Sequence, residues 1–579
     1  MTFAYRVLTP LCLWPWDNSS PNTRHRRAFL KIPTISKFKH LHPWQLPMLV
    51  ALYIGLLLNF PFYRKLAEIF DRLGQVDLGF MLSIPLFICA VLTLLFTLIC
   101  WGPLRKPLLC TLVVLSSLAC YASLTYGVVI DYGMIENFAE TNSHEALSYL
   151  TPGAALWFVV TALLPSLLIW KAPLTPALKY HKAVISSCLV IVACVATVLC
   201  IATGYYQNYT SVGRNNSYLK AMIIPTHAIY SGAKYVSNTY LAKPEPFKHL
   251  GLDAQQAKSD PQGKPNLLVL VVGETARAKN SSHYGYQRDT NPFTRERGVI
   301  PFMEVSSCGT ATAVSVPCMF SAFNRDNFDG KQARNQSNLM DMLSHAGLET
   351  LWLENDGGSK GVADRIPFHT MDPKANPSLC KGGVCFDEVL LAPLKQQIEQ
   401  QTHDGVIVLH LIGSHGPTYF KRYPKSKGPF TPACETASIE NCSSEELVNV
   451  YDNTLYYTDY VLGQVIDILN NNAGQHNTAM LYLSDHGESL GENGLYLHGF
   501  PYSLAPEEQT QVPMLFWSSE QFAQQAQLNT DCLTQKAQLG GFSHDNLFHS
   551  VLGLMSVSTS LYHRDLDLFA SCTNTPSNT

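Results

Sequence analysis

Apolar residues are spread unevenly along the chain. Five apolar segments, 47–63, 78–101, 108–130, 153–170 and 184–203, fill the N-terminal third. Each is close to the ~20 residues needed to cross a ~30 Å hydrocarbon core. None has the water-facing polar stripe of a helix packed on a soluble core. After about residue 250 the pattern becomes that of a soluble protein. Short continuous apolar runs at 266–274 (NLLVLVVGE), 405–413 (GVIVLHLIG) and 478–483 (TAMLYL) predict strands buried on both faces of a parallel sheet. Helical periodicity at 337–346, 445–470 and 544–554 lies between or after them. This alternation predicts a doubly wound α/β domain. All three strands run into metal-ligand residues: Glu274, His415, and the pair Asp485-His486.

Charge orients the apolar segments. The first 46 residues carry Arg24, Arg26, Arg27, Lys31, Lys37 and Lys39, with neither the apolar core nor the cleavage site of a signal peptide. Arg105 and Lys106, then Lys171, Lys179 and Lys182, share their side of the membrane, and the loop with Asp131, Glu136, Glu140 and Glu145 lies opposite. By the positive-inside rule the N-terminus is cytoplasmic, and five crossings deliver the remainder outside. The expected organisation is a cytoplasmic tail (1–46), a five-helix transmembrane α domain (47–204), a bridging helix and linker (205–264) and a catalytic α/β domain (265–579). The bridging helix is expected over 215–241 and the linker over 243–264.

Sixteen cysteines divide into two sets of eight. Cys12, Cys89, Cys100, Cys110, Cys120, Cys188, Cys194 and Cys200 lie at the N-terminus or in apolar stretches, where Cys acts as a small hydrophobe. Cys308 with Cys318, Cys380 with Cys385, and Cys434 with Cys442 are closely spaced, and parity pairs Cys532 with Cys572. No CxxC is present, so disulfides in an oxidising compartment are expected. A formal net charge of −3 and the lack of a basic stripe argue against nucleic-acid binding.

The candidate chemistry centres on 481–499, LYLSDHGESLGENGLYLHG. Open α/β sheets bind ligands at the C-terminal ends of their strands. Asp485, His486 and His498 are donors suited to Zn²⁺. A second component is the small-residue loop 307–318, SCGTATAVSVPC, which runs toward a helix. A hydroxyl there meets free backbone N–H groups, which suits attack on a phosphoryl group.

Glu274-Thr275-Ala276-Arg277, CGTAT with Thr312, His415-Gly-Pro, Ser484-Asp485-His486-Gly487-Glu488 and His498 together resemble the membrane phosphoethanolamine transferases, close to the lipid A-modifying and mobile colistin-resistance enzymes. The resemblance spans about residues 47–572. It implies an alkaline phosphatase/sulfatase-like fold, with Glu274, Thr312, Asp485 and His486 binding a catalytic zinc. Thr312, rather than Thr310, matches the nucleophile that becomes phosphorylated. Lys360, His415 and His498 match positions that hold substrate phosphate or a second zinc, and His415 or His498 is the expected proton donor. Asn137, Thr141 and Glu145 match the loop that touches the donor headgroup, and their spacing of four places them on one helix face. Asp356 and Gly357 stand where relatives can carry Asn and Ser.

The implied reaction moves phosphoethanolamine from phosphatidylethanolamine to a lipid A phosphate through a phosphothreonine, giving polymyxin and colistin resistance. The implied protein is a monomer in the bacterial inner membrane, surrounded by membrane lipid, with its catalytic domain in the periplasm. Alternatives are transfer to a lipopolysaccharide core sugar or a protein, phosphoglycerol transfer, a sulfatase-like membrane phosphodiesterase, or a sensor with an inactive domain.

Overall fold

The computed structural model describes residues 40–573 apart from 75, 141–145, 148, 176–179, 242–244 and 258–262. Most of the basic tail, Cys12, Thr141, Glu145 and the end of the polar tail lie outside the described residues. Among those described, four helices are long and apolar enough to cross a membrane: Leu78–Ile99, Gly102–Thr125, Pro152–Lys171 and Lys182–Asn215. The first expected span is instead a bent pair, α1 (Gln45–Leu58) and α2 (Phe60–Leu73), meeting at 49°.

The bend has an identifiable cause. Buried Asn59 donates to Ile54 O at 2.9 Å and Ile224 O at 2.8 Å, and its Oδ1 accepts from Ile224 N at 2.9 Å. Pro61, in the first turn of α2, lacks the N–H to continue α1, and committing the Asn59 amide to a distant segment fixes the break. Beyond it α2 is amphipathic: Phe62, Leu66, Ile69 and Phe70 are buried, while Arg64 and Arg72 are exposed. Such a helix suits the membrane interface better than the hydrocarbon.

α3 (Leu78–Ile99) is followed by α4 (Arg105–Thr125), which stops short of the expected residue 130. Gly127 turns the chain at φ 74°, a conformation that favours glycine, and Tyr126 O accepts from Tyr496 N at 3.0 Å. The end of the expected third span therefore touches the α/β part. α5 (Tyr132–Glu140), α6 (Pro152–Lys171) and α7 (Tyr180–Asn215) follow, α7 having a non-helical residue at Tyr205.

The single bridging helix expected over 215–241 is not formed. A 3-10 turn, Ser217–Met222, separates α7 from α8 (Thr226–Val236), which starts after Pro225. Proline lacks the N–H needed to carry a preceding helix onward. The expected linker is also partly structured. Lys248 N donates to Asn335 O at 2.8 Å, and Gln255–Gln256 pairs with Val557–Ser558.

The main sheet contains β1 (Asn266–Gly273), β2 (Ile300–Pro301), β3 (Glu349–Glu354), β4 (Phe368–Thr370), β5 (Gly405–His410), β6 (Asn477–Ser484) and β7 (Met514–Ser518). Its order is β2-β7-β6-β1-β5-β3-β4. The run from β6 to β4 is parallel, and β7 joins β6 antiparallel. Alternate residues of β1 enter opposite cores. Leu268, Leu270 and Val272 pack with Phe302, Trp352 and Phe548, whereas Leu267, Val269 and Val271 pack with Leu394, Leu462 and Val465. Burial on both faces explains the uninterrupted apolar runs. Four disulfides, Cys308–Cys318, Cys380–Cys385, Cys434–Cys442 and Cys532–Cys572, clamp loops and the C-terminal region.

The membrane helices and the α/β part share a third apolar cluster. Val128, Ile130 and Met134 belong to it, with Tyr419, Tyr451 and Leu497. Burying each large side chain there contributes roughly 1.5–3 kcal/mol, so the joint is more than a tether.

Candidate active site and metal centre

Glu274 follows β1 directly, and Asp485 and His486 follow the adjacent β6. Their register brings the three side chains to one edge of the sheet. Glycine is required beside them. A Cβ on Gly413, whose φ is +44°, would stand 2.6 Å from Glu274 O. Thr275 has φ 60°, uncommon for a β-branched residue, and Tyr451 holds it in place. The phenol donates to Thr275 O at 2.7 Å and accepts from Arg277 N at 3.0 Å.

Thr312 opens helix α9 (Thr312–Met319), which the Cys308–Cys318 disulfide clamps. Its hydroxyl donates to Glu274 Oε2 at 2.9 Å and stands 3.4 Å from His486 Nε2. His486 Nε2 is 3.6 Å from Glu274 Oε1 and 3.3 Å from Asp485 Oδ2. The four residues that the resemblance singled out as zinc ligands thus converge. Thr310 is used differently, donating to Phe500 O at 2.7 Å.

Electrostatics favours a cation among these residues. Burial and the neighbouring Asp485 push the Glu274 carboxyl upward, and burial pushes Asp485 up to about 6. Asp485 Oδ2 is buried without a hydrogen-bond partner among the described residues. Burial lowers the imidazolium tendency of His486 to about 4, leaving a neutral donor. Two carboxylates, a neutral imidazole and a hydroxyl form a donor set that fits a divalent metal.

His498 lies within reach as well. Glu274, His486 and His498 each offer a ligand atom within 4.8 Å of the others, and the His486 and His498 rings lie 4.3 Å apart. His415 sits 5.9 Å from His498, ring to ring, and its Nδ1 is 3.5 Å from Asp356 Oδ1. Burial alone would raise the Asp356 carboxyl, but a hydrogen bond with His415 and the positive charges of His410, His415 and Lys360 hold it well below the usual carboxylate range. Lys360 also acts on Glu140, at the end of α5. Asn137 is on that helix, and Thr141 and Glu145 lie outside the described residues.

Sequence reasoning missed several polar groups. Glu488, quoted only within its motif, accepts from Tyr419 at 3.0 Å, faces His498 Nδ1 at 3.4 Å and is pushed by burial up to about 8. Glu354, at the end of β3, receives His410 Nδ1 at 2.9 Å, and Asp356 N at 2.6 Å. A carboxylate and an imidazole at the ends of two neighbouring strands were the available signal.

Residues 88–240 match the family described as phosphoethanolamine transferase EptA/EptB, and residues 266–557 match the sulfatase family. Phosphoethanolamine transferase EptA of Escherichia coli K12 is 39% identical over 547 residues, covering 94% of this chain and 99% of that protein. The chain belongs to the EptA/EptB phosphoethanolamine transferases. Another member, phosphatidylethanolamine transferase Mcr-1 of Escherichia coli, is 35% identical, with 90% of this chain and 96% of Mcr-1 covered. The solved integral membrane lipooligosaccharide phosphoethanolamine transferase A of Neisseria meningitidis superposes with a TM-score of 0.88 at 35% identity. That match covers 93% of this chain and all of the other. This transferase is therefore an integral membrane enzyme with a sulfatase-type α/β fold beside its apolar helices.

Proposed function

We propose that this transferase moves phosphoethanolamine from phosphatidylethanolamine to a phosphate of lipid A, with Thr312 as the covalent carrier. The reading is carried by one observation: a buried hydroxyl at a helix start, within 2.9 Å of Glu274 and 3.4 Å of His486, at the mouth of a parallel sheet. Zinc is the proposed metal, held by Glu274, Thr312, Asp485 and His486, and its charge would favour ionisation of the hydroxyl.

Thr312 Oγ1 attacks phosphorus, a P–O bond to Thr312 forms and the bond to the diacylglycerol oxygen breaks. His415 or His498 delivers the proton that oxygen needs. The acceptor phosphate oxygen then attacks the same phosphorus and releases Thr312. Lys360, His415 and His498 are the proposed phosphate contacts, and Asn137, Thr141 and Glu145 the headgroup contacts. A second zinc near His415 and His498 is part of the proposal.

The membrane helices support a lipid donor and a lipid acceptor, because a site held at the bilayer surface supplies proximity to both. We place the tail in the cytoplasm and the α/β domain (265–579) in the periplasm, where disulfides persist. Each transfer adds an ammonium group to an anionic glycolipid, which weakens its attraction for cationic polymyxins such as colistin. The test is mass spectrometry of lipid A from Gram-negative cells expressing the chain or its Thr312→Ala variant. Addition of one phosphoethanolamine by the parent alone is expected; equal addition by both rules out Thr312 as carrier.

A further inference from the structure

A cleft of about 290 Å³ opens between α2 and the segment that brings His498 into the site. Arg64, Lys65, Glu68 and Arg72 of α2 line one wall. Positions 64, 68 and 72 recur every four residues and share a helix face. The opposite wall includes Leu495, Phe500 and Leu504. Glu68 is engaged by Lys65 at 2.8 Å, which leaves two exposed guanidinium groups in the lining.

We infer that this cleft holds a phosphate of the acceptor glycolipid, with Arg64 and Arg72 as its ligands. The inference rests on the transfer reaction proposed above and names its acceptor subsite. Arginine presents a planar fork that matches phosphate oxygens. An amphipathic helix such as α2 suits the headgroup layer, where a ligand can enter the cleft while its acyl chains stay in the bilayer. The lining discriminates between the two substrates. Its surplus positive charge repels the ammonium end of phosphatidylethanolamine and favours a ligand bearing phosphate alone.

The cleft also touches the nucleophile segment. Phe500, in its wall, accepts the Thr310 hydroxyl at 2.7 Å, and Gly499 N donates to Thr310 O at 2.7 Å. Thr310 is two residues from Thr312. The cleft that Arg64 and Arg72 line thus shares Phe500 with the loop that carries the reacting hydroxyl.

The test uses the full chain in phosphatidylcholine nanodiscs, with a phosphorylated glucosamine-disaccharide lipid, its dephosphorylated counterpart and phosphatidylglycerol as separate probes. Native mass spectrometry is expected to show binding of the phosphorylated glycolipid that weakens about tenfold in the double variant Arg64→Ala/Arg72→Ala. Binding by Arg64→Lys/Arg72→Lys, which keeps the charge but not the fork, is expected to fall between that of the parent and that of the alanine variant. Undiminished binding by the alanine variant overturns the inference. So does equal binding of phosphatidylglycerol or of the dephosphorylated lipid, since the site would then be a general anionic-lipid or acyl contact. With phosphatidylethanolamine then added to the same nanodiscs as donor, binding by the parent without transfer would refute the proposed reaction while leaving the phosphate site standing.

Discussion

The contact between α5 and the α/β part offers a quantitative test of how the two halves are held together. Arg334 bonds Glu136, whose side chain is 7% exposed, and reaches Glu140 Oε1 at 3.2 Å, its own side chain being 39% exposed. Removing one partner of a fully buried pair costs roughly 3–5 kcal/mol, whereas exposed pairs contribute about 0.2–1 kcal/mol. With one buried and one half-open partner, a coupling of about 1.4 kcal/mol is expected, equivalent to tenfold in an opening equilibrium. Hydrogen exchange of the α5 amides, measured on the full chain in nanodiscs, reads that equilibrium. Arg334→Ala and Glu136→Gln should each speed exchange about tenfold, and the double variant scarcely more, because both remove the same contact. The remaining Glu140 contact keeps the Glu136→Gln effect at the lower end. Changes below about twofold, or single effects that multiply in the double variant, would refute a docked α5.

Three further outcomes follow from the site. Thr312→Ser keeps a hydroxyl next to Glu274 and should retain a phosphoethanolamine adduct on the intact protein, whereas isosteric Thr312→Val should show none by mass spectrometry. Chelation should lower the thermal midpoint of the wild type and zinc should restore it, while Asp485→Asn should retain less zinc by elemental analysis. His410 provides a pH signature: burial alone would lower its pKa, but Glu354 at 2.9 Å more than offsets this and holds it up at about 9. Because the folded value exceeds the unfolded ~6.5, this stabilisation, at most about 3 kcal/mol, is complete below pH 6.5 and lost as pH rises through 9. Denaturant midpoints at pH 6 and pH 9.5 should differ more for the wild type than for His410→Gln.

Legibility followed the origin of each signal. β1, β5 and β6 are the central parallel strands, buried on both faces, and their sequences are continuous apolar runs. β3, with the polar ends of ETLWLE, and β4, exposed throughout, carry no such run, whereas β7 does contain one, Met514–Trp517, which the sequence reading passed over. β5 shows why even a strong signal misjudges an end. Its apolar letters continue through Leu411 and Ile412, but Ile412 N and Gly413 N donate to Asp387 at 2.9 and 3.0 Å, so the ladder stops at His410. A carboxylate from a distant segment outcompeted the next strand position, and nothing local to 405–413 announces it.

The same reasoning separates the metal site from the joint between the two halves. Glu274, Asp485 and His486 are visible because each follows a strand that positions it, so local sequence and spatial placement coincide. Beside the local break at Pro61, Asn59 holds the α1–α2 bend through the backbone of Ile224, and the Tyr126 carbonyl accepts from Tyr496. The hydrogen bonds that fix each of these breaks come from partners far away in the chain. Periodicity could not supply them, since both segments are as apolar as a straight span. What can be seen in advance is the charge on the far side of such a bend. Arg64 and Arg72 are exposed and costly in hydrocarbon, which favours the interface for the chain beyond residue 59. There it forms one wall of a cleft whose other wall belongs to the α/β part.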